Sequence, residues 1–357
     1  MTACDACLRR TDLIAALAGW LDIEWRNRDA PTRVLARSDE QLLDACDLPA
    51  ARTRYDRFDP AAARAAVAAA RLAAVCRCDA SYPDRLRELA DPPAVLHVAG
   101  APKAVGLDDA VAVVGARRAT HYGLTVADDL GRGLAAAGVS VVSGLALGVD
   151  AAAHSGALAG TAPPVAVLAG GADRPYPASK RQLYEAVRTA GAVVSEMPPG
   201  FGIHRWAFVA RNRLIAALAR VVVVVEATER SGSLTTADLG AELGRTVAAV
   251  PGRVTCATAT GVNALIRDGA VLVRNVDDVL EQLADITGAQ YEVRPPGENG
   301  LDPVLRQVLD AIGAGHSTLP MLVGCGFDAR TVLAGLGELE ARGLVRRGFG
   351  GRYERAP

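Results

Sequence analysis

Between Val111 and Val273 the chain returns repeatedly to a short, Val-rich run: Val111–Val114, Val139–Val142, Val165–Leu168, Ala192–Val194, Val221–Val225, Val247–Val250 and Ala270–Val273. These runs do not alternate apolar with polar residues, so each predicts a strand that is apolar on both faces. Strands of that kind belong to a parallel sheet covered by helices on either side. The segments between them are roughly 10–20 residues long, the length a crossover helix needs. The pattern predicts an α/β fold with a Rossmann-like, doubly wound parallel sheet. Aromatic residues make up only 4% of the chain, so Val, Leu and Ala must fill its core.

At 357 residues the chain is long enough for two or three domains. Residues 1–75 read as small helices. Leu13, Ile14, Leu17 and Leu21 recur at helical spacing, and Ser38 with Glu40 and Gln41 makes a helix start before Leu42 and Leu43. Pro60 to Val75 is Ala-rich and reads as one more helix. This module is either a small nucleic-acid-binding domain of the SAM or helix-hairpin-helix type, or a packing element. Residues 76–285 form the extended Rossmann-like core, and 286–301, with Arg294-Pro295-Pro296-Gly297-Glu298-Asn299-Gly300, a linker. In 302–357, Leu305, Val308, Leu309 and Ile312 share one helical face, and a second helix starts after Asp328. Two short basic segments with glycines follow, Gly343 to Arg347 and Gly350 to Tyr353, which is the order of a winged helix.

A net charge of −1 does not itself indicate a polyanion partner, so basic residues matter only where they cluster. The longest apolar run, at Val221–Val225, is too short to span a bilayer, and no signal peptide is evident. The expected location is cytoplasmic, with no membrane partner. Cys4, Cys7, Cys46, Cys76, Cys78, Cys256 and Cys325 are odd in number and irregularly spaced, unlike a disulfide framework. Cys4 and Cys7 form one Cys-x-x-Cys that Cys76 and Cys78 could complete as a zinc site. The Cys-x-Cys spacing of the second pair speaks against that, and the expectation is ordinary reduced thiols with no metal.

The loop after the first core strand is Gly115-Ala116-Arg117-Arg118-Ala119-Thr120. A dinucleotide site would place a second glycine where Arg117 stands, and an acidic residue where the next strand ends in Ser143-Gly144. NAD and FAD are thereby disfavoured and no cofactor is expected. Backbone N–H groups at a helix start, beside Arg117 and Arg118, suit a single phosphate group. In the next loop Ser143 and Gly144 lie at a strand's carboxyl end. Asp150 reads as a helix N-cap in preference to a ligand contact, and His154 is either a buried histidine or a phosphate contact. Lys180 follows, then His204-Arg205-Trp206-Ala207-Phe208-Val209-Ala210-Arg211-Asn212-Arg213, where aromatics interleave with arginines. Stacked bases and guanidinium–phosphate contacts hold single strands in this way, and that reading is preferred over a core-plus-solvated-face one. Ser231-Gly232-Ser233 opens another helix and makes a further anion-friendly N-terminus.

Taken in order, several of these segments resemble the DNA-processing protein A (DprA, also called Smf) family. They are Val113 to Arg117 with Tyr122-Gly123; Ser143-Gly144-Leu145-Ala146-x-Gly148-x-Asp150-x-x-x-His154; Tyr176-Pro177; Phe208-x-x-Arg211-Asn212-Arg213; and Val224-Val225-Glu226-Ala227 with Ser231-Gly232-Ser233-Leu234. Val250-Pro251-Gly252 and Gly261-x-Asn263 continue the match, and Tyr82-Pro83 with Asp91-Pro92-Pro93 resembles the strap leading into the family's core. The resemblance covers roughly residues 79–275. It implies a non-catalytic homodimer that binds single-stranded DNA and loads RecA recombinase onto it, shielding incoming DNA in natural transformation. It further implies DNA contacts from Arg117, Lys180, Arg205, Phe208, Arg211, Asn212 and Arg213, with backbone contacts from the glycine and serine loops. The chain departs from the family pattern at Ala116, at Val209 and at Thr161 to Pro164.

Two other readings are weaker. A nucleotide hydrolase of the lysine-decarboxylase-like type would need a Pro-Gly-Gly-x-Gly-Thr loop, but Val250-Pro251-Gly252-Arg253 lacks its later residues, and Glu196 and Glu226 have no evident acid partner. A winged-helix transcription factor would place duplex binding on Arg342, Arg346, Arg347 and Arg352 but leaves the large α/β segment unexplained.

Overall fold

A computed structural model of the chain describes residues 3–24, 31–293, 301–342, 344–348 and 351–355. The linker residues Arg294 to Gly300, and Gly343 and Gly350 of the wing segment, lie outside the described residues. The chain forms two compact units, Met1–Tyr291 and Glu292–Pro357.

The first unit opens with six helices: α1 (Asp5–Ala16), α2 (Ala18–Glu24), α3 (Pro31–Leu35), α4 (Asp39–Cys46), α5 (Pro49–Asp56) and α6 (Pro60–Ala69). Ser38 and Gln41 cap α4 reciprocally, as their spacing predicts. The last helix stops earlier than expected. Arg71 turns the chain with a φ of 55°, and Ala73–Cys76 becomes strand β1. The alanines beyond residue 72 favour helix locally, but pairing with a neighbouring strand overrides that preference.

Strand β1 pairs antiparallel with β2 (Val95–Gly100), which follows the short helix α7 (Asp84–Arg87). The predicted core strands then appear as β3 (Ala110–Val114), β4 (Ser140–Ser143), β5 (Val165–Val167), β6 (Ala192–Ser195), β7 (Val221–Val224), β8 (Thr246–Ala249) and β9 (Val271–Leu272). The sheet order is β1-β2-β6-β5-β4-β3-β7-β8-β9. From β6 to β9 every pairing is parallel, and β2 joins β6 antiparallel. The antiparallel pair on the β6 side is a feature that the Val-rich pattern does not predict.

Crossovers run through α8 (His121–Ala136), α9 (Val149–Ala157), α10 (Arg181–Ala190), α11 (Arg205–Leu218), α12 (Gly232–Glu242) and α13 (Thr260–Arg267), and α14 (Val276–Thr287) closes the unit. Alternate residues of one strand enter two cores. Val111 and Val113 join Leu130, Leu134 and Val279, while Ala112 and Val114 join Leu214 and Leu218. That division explains why the runs are apolar throughout. The N-terminal helices share a core with α11, where Leu13, Leu17 and Leu42 pack with Trp206 and Ala210. Met1–Tyr291 is therefore one body, and no compact boundary falls at residue 75. Among the described residues, no helix is long and apolar enough to cross a membrane.

The second unit holds α15 (Pro303–Gly313), α16 (Leu319–Gly324) and α17 (Ala329–Ala341), then the antiparallel pair β10 (Val345–Arg347) and β11 (Tyr353–Arg355). Asp328 caps α17 through the Thr331 amide, as expected. Val308, Leu309, Leu322, Val332, Leu336 and Leu339 form its core.

Candidate nucleic-acid interface

The strand order reverses at β3. From it the chain moves outward through β4, β5 and β6, then returns to place β7 on the other side. Open α/β sheets bind ligands in the crevice outside the strand carboxyl ends at such a switch point. Here the crevice is a cavity of about 520 Å³. The loop after β3 (Gly115, Arg117, Arg118), one side of α11 (Phe208, Arg211, Asn212) and the start of α12 (Ser231, Gly232, Ser233) line it. Nine of the residues singled out from the sequence therefore meet in one place.

Close packing of the loops sets this geometry. The Ala116 amide donates to the Glu226 carbonyl at 2.7 Å, and the Val149 amide to the Ala116 carbonyl at 3.2 Å. Gly148 adopts φ +81°, and a Cβ there would lie 2.2 Å from the Ala116 oxygen, so the neighbouring loops fit only around glycine. Glu226, considered above under the hydrolase reading, acts as a lock. Its carboxylate accepts from the Thr120 amide at 2.8 Å and hydroxyl at 2.6 Å, and from the Thr258 hydroxyl at 3.3 Å. Thr120 in turn caps α8.

At the mouth of the crevice the Arg117 guanidinium lies 4.8 Å from the centroid of the Phe208 ring, and the Phe208 and Tyr176 rings are 5.8 Å apart. Tyr176 is 42% exposed. In the sequence Tyr176 stands out only within the Tyr176-Pro177 family motif, with nothing nearby in the chain to mark it as a contact. Its adjacency to Phe208 depends on a fold that brings together residues far apart in the chain. Arg117 also borders a second cavity, of about 690 Å³, with Arg118 and Lys180. Lys180 thus extends the basic surface beyond the main crevice.

Arg211 is the cationic floor. Only 6% exposed, it donates to the Val167 carbonyl at 3.2 Å. A Cβ at Gly144 would lie 1.3 Å from its Nη1, so glycine is what leaves room for the guanidinium. Burial lowers the Arg211 pKa, and burial raises that of its neighbour Asp150. Asp150 is not the N-cap expected. Gly148 holds that position, and Asp150 accepts from the Gly144 amide at 3.1 Å, bracing the loop. Asn212 donates to the Gly232 carbonyl at 3.1 Å and Ser231 caps α12, which together tie α11 to α12 across the crevice.

Four expected contacts need correction. Arg213 is 1% exposed and is enclosed by Asp91 at 2.9 Å and Glu196 at 2.5 Å, so it anchors the strap to the core instead of facing a ligand. Helical geometry turns it away from Arg211 although only one residue intervenes. Ser143 is buried and donates to the Val113 carbonyl at 2.7 Å, stitching β4 to β3. His154 is fully buried, and that burial pushes its pKa down to about 4, so it stays neutral inside the fold. Arg205 is exposed but lines neither cavity; its amide donates to Asp22 at 3.1 Å. Trp206, taken above as part of the binding run, is a core residue.

The model of the DNA recombination-mediator protein A family matches residues 73–284, more than half of the chain. The chain belongs to this family. It is 46% identical over 240 residues to a Mycobacterium tuberculosis DNA processing protein DprA, covering 66% of this chain and 62% of that relative's own length. The solved structure of DNA processing protein A from Streptococcus pneumoniae is 30% identical and superposes with a TM-score of 0.63, covering 79% of this chain and 98% of that one. A Helicobacter pylori DNA processing protein A, whose structure is described in terms of its single-stranded DNA binding mode, is 29% identical with a TM-score of 0.55, covering 60% and 96%.

Proposed function

We propose that the chain binds single-stranded DNA along the switch-point crevice and, as a cytoplasmic homodimer, loads RecA recombinase onto it without covalent chemistry. It would thereby protect incoming DNA during natural transformation or recombination. The observation that carries the DNA part is the Tyr176–Phe208–Arg117 group at the crevice mouth. Bases stack on aromatic faces whatever their sequence, and a guanidinium in the same group can hold the adjoining phosphate. Behind it Arg211 supplies a buried charge, and the start of α12, at Ser231 to Ser233, borders the crevice as a helix N-terminus favourable to a phosphate. The Helicobacter pylori relative supports the same ligand. RecA loading and the dimer rest on the family resemblance. A winged-helix identity for the C-terminal unit is proposed on its three helices followed by a hairpin.

Fluorescence anisotropy of a labelled oligothymidine against a duplex of equal length, over a salt series, tests the DNA reading. Preference for the single strand is expected, with a log–log salt slope of about −0.7 per phosphate neutralised. Arg117→Ala should weaken binding by roughly tenfold, about 1.4 kcal/mol. Equal affinity for duplex, or an indifferent variant, would sink the crevice as the site. For the RecA part, the rate of RecA filament growth on single strands should rise with the wild-type chain and not with Arg117→Ala.

A further inference from the structure

Far from the crevice, the fold brings together the two cysteine pairs whose spacing in sequence spoke against a shared zinc site. The Sγ atoms of Cys4, Cys7, Cys76 and Cys78 all lie within 4.8 Å of one another. Cys7 and Cys78, 71 residues apart in sequence, have their sulfurs 3.7 Å apart. We propose that these four cysteines form a single-ion zinc site that staples α1 to the edge strand β1.

The spacing favours one ion. A tetrahedral zinc with bonds of about 2.3 Å sets its sulfur ligands about 3.8 Å from each other, close to the separation seen. Thiolates around a multi-iron cluster must stand further apart than this group does, and a bonded disulfide needs sulfurs about 2.05 Å apart. Four sulfur donors in a tetrahedral set select zinc among the common divalent ions.

The surroundings suit a structural site. Cys4 is the N-cap of α1 and Cys7 lies in its first turn, so one helix start presents both sulfurs on the same side. The Cys4 side chain makes no capping hydrogen bond, so its sulfur is available. Cys7 and Cys76 are buried among Leu8, Val67, Ala74 and Val95, while Cys78 is exposed and offers the ion a way in. Strand β1 is one of the sheet's two edge strands and, among the described residues, pairs only with β2. A staple there would hold the N-terminal helices to the sheet. The family match begins at residue 73, so Cys4 and Cys7 lie outside it. The Cys-x-Cys spacing that argued against zinc is accommodated because Cys76 ends a strand and Cys78 lies in the turn that follows.

The test is metal analysis of the full chain purified without chelator, followed by cobalt substitution. About one zinc per chain is expected, with the absorption bands of a tetrahedral thiolate site once cobalt replaces it. Cys78→Ser, at an exposed position, should cut the zinc content at least about fivefold while the far-ultraviolet circular dichroism stays native. Cys325→Ser, an exposed cysteine outside the cluster, should leave the content unchanged. Less than about one zinc in ten chains, both as purified and after zinc is added back under reducing conditions, would overturn the site. So would iron in its place, or pairwise disulfides in protein kept reduced.

Discussion

Two arginines on α11 sit two positions apart and do opposite jobs. On the inner flank, Arg213 is held by two carboxylates, Asp91 and Glu196, and neither solvent nor ligand can reach it. On the crevice flank, Arg211 hydrogen-bonds a backbone carbonyl, and the carboxylate nearest its field, Asp150, is occupied with the Gly144 amide. A cation neutralised within the fold contributes rigidity. One left under-neutralised beneath an open cavity stays free to attract an anion. The sequence Arg-Asn-Arg does not distinguish them; the helical turn does.

Removing each arginine should break the comparison most sharply. Arg213→Ala leaves Asp91 and Glu196 buried without their cation and should cost about 3–5 kcal/mol of stability, read by urea denaturation. The fraction that remains folded should bind oligothymidine as wild type does. A variant of normal stability with lost DNA binding would reverse the assignment of the two flanks.

Acid should act next most strongly, through the buried histidines. The pKa of His154 is pushed down to about 4 by its burial, and that of His97 likewise. The unfolded chain takes up these protons near pH 6.5 and the folded chain only near 4, so stability is present above about 6.5 and is lost as pH falls towards 4. Each histidine can contribute up to about 3 kcal/mol to that loss. His154→Gln should flatten the stability–pH curve over this window and leave the salt slope of DNA binding unchanged. A lowered slope would restore His154 as a phosphate contact.

The Val-rich runs made the parallel sheet and its switch-point crevice legible, because β-branched residues apolar on both faces leave few other solutions. The loops that line the crevice were legible for the same reason, since they sit at strand ends. Strands β1 and β2 were not. Ala73 and Ala74 favour helix locally, and only pairing across the strap with His97 and Val98 makes them strand. The roles of Ser143, His154 and Arg213 were also hidden. A polar residue in a strand-end or helix-start motif looks the same whether it faces solvent or a neighbouring strand. The four cysteines could be grouped from the sequence, but the Cys-x-Cys spacing argued against a shared site, because only tertiary packing brings the two halves together.

A subtler change separates the position of Arg211 from its charge. Gly144→Ala keeps every charged group but would place a methyl 1.3 Å from Nη1. The atoms displaced are the end of a long side chain, so folding should lose about 1–3 kcal/mol, the usual cost of overpacking. The guanidinium should leave the Val167 carbonyl and swing from the crevice floor, and single-strand affinity should fall roughly tenfold. Unchanged affinity would mean that Arg211 only braces Asp150 and that both arginines of α11 are structural.

The smallest effect should come from Arg118, which is exposed and borders both cavities without touching the aromatic pair. A residue in that position meets a phosphate through solvent, so Arg118→Ala should cost only about 0.5 kcal/mol at moderate salt. Its clearer mark should be on the salt dependence, with the log–log slope falling by about 0.7, the share of one phosphate on a single strand. If Arg118→Ala instead weakens binding as much as Arg117→Ala does, the arginine seated on Phe208 has no special role. The aromatic group would then be packing, and the crevice a basic surface that any polyanion could occupy.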